Sequence, residues 1–149
     1  MDELIKQLNT VLADSYVTYL KAHGYHWNIE GRDFYQLHKL LELIYEEIQE
    51  AIDDIGEQVR QINGRAIHTL LEFDSYKTIP DMAVLDGHDN TGMLADLNNA
   101  NLAVLASLYR AHEMAENQKE FALSNFLQDR MMAHKKHAWM LKTTLEAGQ

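Results

Sequence analysis

His38 and Glu42 stand four residues apart, and so, further along, do Asp53 and Glu57. On a helix each pair shares a face and offers two ligands together. His26 adds a second imidazole a short way upstream. Two histidines with three carboxylates make a mixed nitrogen and oxygen set that suits iron, manganese or zinc. A carboxylate-rich site with open positions suits ferrous iron and an oxidant best. At about 100° and about 1.5 Å per residue, the stretch from His38 to Asp53 turns the two pairs to within about 60° of each other but leaves them about 22 Å apart. One ion does not reach both. Either the pairs serve different sites within one monomer, or an antiparallel two-fold mate carries its Asp53 pair to the His38 pair, where His26 completes the cluster.

The elements that position these residues read as helices. Leu4, Leu8, Val11, Leu12, Tyr19 and Ala22 recur at three- and four-residue steps and predict a helix from Asp2 to about Asn28. The segment Asn28 to Arg32, with Gly31, reads as a turn. Leu37, Leu41, Ile44, Ile48, Ile52, Ile55, Val59 and Ile62 predict a second helix from about Phe34 to Ile62, closed by Asn63 and Gly64. Arg65 to Asn90, with Pro80 and Gly87, reads as a crossover carrying one short helix around Leu70. A helix from about Thr91 to Glu116 and another from about Lys119 to Leu145 complete an all-α, ferritin-like four-helix bundle, its one long connection in the middle. Residues 1–149 are expected to form a single domain.

Composition narrows the chemistry. The chain has no cysteine, which excludes disulfide frameworks, iron-sulfur clusters and thiol catalysis, whereas eight histidines and 23 carboxylates keep nitrogen and oxygen ligands in supply. A net charge of -10 suits cations and opposes polyphosphate, because nucleic-acid affinity comes largely from Lys and Arg displacing counterions. The start, MDELIKQL, lacks the basic-then-apolar pattern of a signal peptide, and no stretch of 18 apolar residues exists. A cytoplasmic location away from membranes is the expectation.

Bundles of this topology commonly build a di-iron site inside one subunit from Glu-x-x-His motifs. No histidine of this chain has a glutamate three residues before it, which argues against such a centre. His23, His112, His134 and His137 read as surface or hydrogen-bonded histidines, and Met131, Met132 and Met140 as flexible core filling.

The segment YHWNIEGRDFYQLH, the spaced Asp53 and Glu57 in DDIGEQVRQING, and the ending HKKHAWMLKTTL resemble the signature of the Dps mini-ferritins. The resemblance covers essentially the whole chain. It implies a dodecameric shell with two irons at each ferroxidase centre, each centre lying between two-fold-related subunits. His26 and His38 would come from one subunit, Asp53 and Glu57 from its mate. The family commonly has aspartate where this chain has Glu42, which would serve as a longer ligand, as a base beside the metal, or as neither. Trp27, next to His26, would report on the site without a catalytic role. Hydrogen peroxide is the implied oxidant, with dioxygen as alternative, and zinc or manganese as competing ions. The implied outcome is ferroxidase activity, iron storage and protection against oxidative stress.

Two departures stand out. Gly56-Glu57-Gln58 replaces the family's frequent Ala-Glu-Arg, and the acidic residues near the last helix are Glu113, Glu116 and Glu120, followed by Phe121 and Asn125. Two other functions compete with iron oxidation. A DNA-compacting protein would need a basic arm, and neither the start nor the ending TTLEAGQ supplies one, so DNA binding is not expected. A metal-free helical scaffold would keep the bundle and show no saturable iron binding.

Overall fold

The computed structural model describes residues 1–147. Five helices follow one another: α1 (Asp2–Asn28), α2 (Phe34–Gln61), α3 (Leu70–Tyr76), α4 (Asn90–Asn117) and α5 (Phe121–Ala147), with no strand among the described residues. The four long helices form the expected bundle. α1 packs on α2 and α4, α5 packs on α4, and the short α3 lies against α1. The helical stripes read from the sequence point inward: Leu4, Leu8, Val11, Leu41, Ile48, Ile55, Val59, Leu97, Leu108, Leu127 and Leu141 are all essentially inaccessible. Each such side chain stabilises the fold by about 1.5–3 kcal/mol through loss of apolar surface to water.

The helix ends follow local chemistry. α2 stops because Asn63 adopts a left-handed φ of 67°, which lets Asn63 N–H bond Arg60 O at 3.0 Å and Gly64 N–H bond Val59 O at 2.9 Å. α4 stops the same way one residue later than predicted, through Lys119 at φ 61°. That turn holds Lys119 and Glu120 outside α5, which therefore begins at Phe121 and not at Lys119. α3 is held by a capping box in which Thr69 and Glu72 satisfy each other's backbone N–H groups. Met132 corrects the reading of the methionines as core, since it is 70% exposed on the outer face of α5.

The turn between α1 and α2 fixes the angle at which the candidate ligands meet. Gly31 sits at φ +114°, a conformation that side chains disfavour. Gly87 of the crossover lies so close to this turn that a Cβ there would stand 2.3 Å from Asn28 O. The turn is tied to the crossover by Glu30 N–H to Gly87 O at 2.8 Å and by Asn90 Nδ2 to Glu30 O at 3.0 Å.

Candidate metal centre

His26 lies in the last turn of α1, where a helix has carbonyls with no intrahelical partner. His38 lies in the second turn of α2. The short turn between them sets the two rings face to face, with centroids 3.7 Å apart and planes 12° from parallel. His38 Nδ1–H donates to His26 O at 2.8 Å, and His26 Nδ1–H donates to His38 O at 2.8 Å. A carbonyl only accepts, so both rings carry a proton on Nδ1, and the neutral ring then offers Nε2 as the lone pair for a metal. Phe34 stacks on the outer side of His38 at 4.8 Å.

Glu42 projects from the next turn of α2 beside these rings. Its carboxyl is held below the usual carboxylate value, first by a hydrogen bond from Lys39, with burial opposing, and then by the charge of Lys39. The Lys39 Nζ to Glu42 Oε2 distance is 3.1 Å. An aromatic shelf adjoins the pair: Tyr19 O–H meets His23 Nδ1 at 3.1 Å, and His23 stacks on Tyr45 with centroids 4.3 Å apart and lies tilted against Trp27 at 4.0 Å. Trp27 remains 62% exposed, so it is not core.

The second pair lies on the other half of α2. Asp53 and Glu57 are exposed, and Asp54 joins them: one carboxylate oxygen of each falls within 4.8 Å of the others. Asp54 lies outside the four-residue pattern and pairs with Glu57 at the three-residue spacing of the same helix. Asp53 and Glu57 rim a cavity of about 370 Å³ walled by Leu12, Tyr16, Ile67 and Phe73. The structure thus pairs His26 with His38, leaves Glu42 one turn further along α2 in an ion pair with Lys39, and groups Asp53, Asp54 and Glu57. α2 runs unbroken between the clusters, which leaves them about 22 Å apart in one chain.

The remaining histidines resolve into other settings. His134 and His137 are buried and bonded within the bundle. His112 meets Gln128 at 3.1 Å and Glu116 at 3.6 Å, and Glu116 also accepts from Ser124 Oγ. Phe121, which follows Glu120, is 61% exposed.

Helix order and the long crossover are those of the ferritin superfamily, and the profile of the Ferritin-like domain matches residues 5–149. The chain is 31% identical to DNA protection during starvation protein 2 of Bacillus anthracis, over 96% of this chain and 97% of that protein. It is 34% identical to a low temperature-induced protein of Nostoc, over 96% of this chain and 80% of the relative. Among solved structures, the Dps protein of Vibrio cholerae, described as a member of a broad superfamily of ferritin-like diiron-carboxylate proteins, superposes with a TM-score of 0.90 at 27% identity, covering 97% of this chain and 89% of that one. The chain belongs to the Dps branch of the ferritin-like family. No helix among the described residues is long and apolar enough to cross a membrane.

Proposed function

We propose that this chain oxidises ferrous iron, with hydrogen peroxide as the favoured oxidant, at sites shared between two copies of itself, and stores the ferric product inside a shell of twelve subunits. The carrying observation is that one chain holds two incomplete clusters that it does not itself bring together. One is two imidazole lone pairs with Glu42; the other is Asp53, Asp54 and Glu57. A two-fold mate in antiparallel register supplies each with the other, and a two-fold interface repeats the pairing twice. His26 and His38 then give neutral nitrogen ligands, while Asp53 and Glu57 give the anionic oxygens that favour the ferric product. Glu42 is the longer ligand or the base beside it, and zinc and manganese compete for the same donors.

Each of two ferrous ions gives up one electron. The O–O bond of peroxide takes both, together with two protons, and two waters form. Paired ions are what keep the reaction from stopping at one electron, which would release hydroxyl radical. The net charge of -10 supports cation accumulation over duplex DNA as the partner. The location proposed is the cytoplasm.

The test is an anaerobic ferrous titration followed by one addition of peroxide, reading ferric absorbance and tryptophan fluorescence. Rapid stoichiometric oxidation is expected in the native protein, with collapse in Asp53→Ala and in His38→Ala. Co-assembling the two variants in equal amounts restores about a quarter of the native sites, because half the two-fold pairs are mixed and each mixed pair holds one intact site. Equal slow oxidation in all samples, or no restoration on mixing, rejects the shared site.

A further inference from the structure

Halfway along the bundle a polar layer interrupts the core. It lies between one apolar cluster around Leu8, Ile55, Val104 and Leu127 and another around Ile44, Ile48, Leu97 and Leu141. Glu47 comes from α2, Asn101 from α4, and Arg130, His134 and His137 from α5. His134 is fully buried, and His137 and Arg130 are 2% and 6% exposed. Glu47 opens to the surface through a groove that also holds Glu50, Asp54 and Asp129.

Arg130 is the cation of this layer. Its Nη1 donates to Glu47 Oε2, and its Nη2 donates to Glu47 Oε1 at 3.1 Å and to His134 Nε2 at 3.0 Å. His134 donates Nδ1–H to Asn101 Oδ1 at 2.7 Å, so its Nε2 is a lone pair aimed at the guanidinium. His137 donates Nε2–H to Glu47 Oε1 at 2.8 Å. Burial holds the His134 pKa well below its ordinary value, and the charge of Arg130 adds to the effect. Burial opposes the charge on Glu47, yet hydrogen bonds from His137 and Arg130 push its carboxyl down to about 2. A carboxylate and two imidazoles therefore surround a single positive charge. The fit is incomplete, because Arg130 Nε and His137 Nδ1 are buried without partners.

We propose that Arg130 fills, with its own charge, a cation site built from Glu47, His134 and His137, and that shortening this side chain opens the site to a divalent ion such as Zn²⁺ or Co²⁺. Two imidazoles and one carboxylate are a set these ions take with a fourth position left for water. The point now held by Nη2 lies 3.0 Å from His134 Nε2 and 3.1 Å from Glu47 Oε1. Metal bonds of about 2.0–2.2 Å ask the ligands to close in by about 1 Å. Asn101 already orients His134 through the ring nitrogen that would not bind metal. His137 moves its proton from Nε2 to Nδ1, the nitrogen that now has no partner. In the native chain the tethered guanidinium excludes divalent ions from the bundle interior and leaves metal to the surface clusters. The inference stands apart from the iron-oxidation reading, since none of its residues belongs to either surface cluster.

The experiment compares the full native chain with Arg130→Ala and Arg130→Ser by Co²⁺ titration, reading visible absorption and the melting temperature. Each variant is expected to bind one more Co²⁺ per chain than the native protein, with the intense bands of a four-coordinate ion, and to melt higher with Co²⁺ present. Adding His134→Ala weakens this binding at least tenfold. Helical variants that bind no extra Co²⁺, or bands that persist without His134, overturn the proposal. Should both variants be unfolded without metal, folding on Co²⁺ addition supports it and failure to fold overturns it.

Discussion

His26 and His38 lock each other: each imidazole donates its Nδ1–H to the other's backbone carbonyl at 2.8 Å. Each Nδ1 bonds only the other residue's carbonyl, so the two rings are coupled through this pair of hydrogen bonds. Replacing His38 by alanine removes one ligand and also leaves His26 O, a carbonyl at the end of α1, without its donor. Second partners of metal-bound histidines are worth about 10–100-fold in metal affinity. His38→Ala and His26→Ala should each lose at least that much ferrous affinity, and the double variant little more than either. An anaerobic titration of all three decides this; independent, multiplying losses would show that the lock has no consequence for binding.

In the proposed site, the ion pair with Lys39 would compete with metal for the Glu42 carboxylate. Lys39 is half exposed and solvent screens the pair, so the interaction is weak. Lys39→Met should therefore tighten ferrous binding only slightly, whereas Glu42→Gln should weaken it. If Glu42 takes no part in binding, neither variant shifts the titration midpoint.

Much of this fold is legible in the sequence because the apolar spacing of Leu37 through Val59 is unbroken and Asn63-Gly64 is a turn signal with a backbone reason. The start of α5 was less legible, since Lys119 takes a left-handed conformation that lysine seldom adopts. The two halves of the candidate site show in the four-residue spacings. The reciprocal bonds of His26 and His38 do not, since they depend on the angle set by Gly31 and the crossover. The layer around Arg130 was illegible for a different reason: its partners lie on α2, α4 and α5, and nothing local to His134 distinguishes it from a surface histidine.

Acid should loosen the crossover first at α3. Arg65 bonds both oxygens of Glu72, at 2.6 and 3.1 Å, and Glu72 also accepts from the backbone of His68 and Thr69. The Arg65 hydrogen bond, with burial opposing, pushes the Glu72 carboxyl down to about 2 from the usual 4.5. A depressed carboxylate contributes stability that is fully present above the unfolded value near 4.5 and is lost as pH falls toward 2. Solvent screens the pair, so the change is local. Hydrogen exchange of the α3 amides, corrected for intrinsic rate, should rise across that window in the native chain. Glu72→Gln should show raised exchange at every pH and no such window.

Asp14 holds the crossover to the bundle from inside. It is fully buried and accepts from Thr78 N–H at 2.7 Å, Thr78 O–H at 2.8 Å and Ser107 O–H at 2.7 Å. Asp14→Ala strands Ser107 Oγ in the core, while Thr78, at the surface, finds water. A stranded buried donor costs about 1–3 kcal/mol, so the variant should lose about 2–4 kcal/mol once the weakened crossover is included. Asp14→Asn keeps one acceptor oxygen but turns an amide N–H toward the remaining donors, and should fall between the two. Urea unfolding gives the magnitude, and proteolysis within residues 77–88 gives the location. A loss below about 0.5 kcal/mol, the level of an ordinary surface change, would mean that Ile79 and the turn contacts of Gly87 hold the crossover without Asp14.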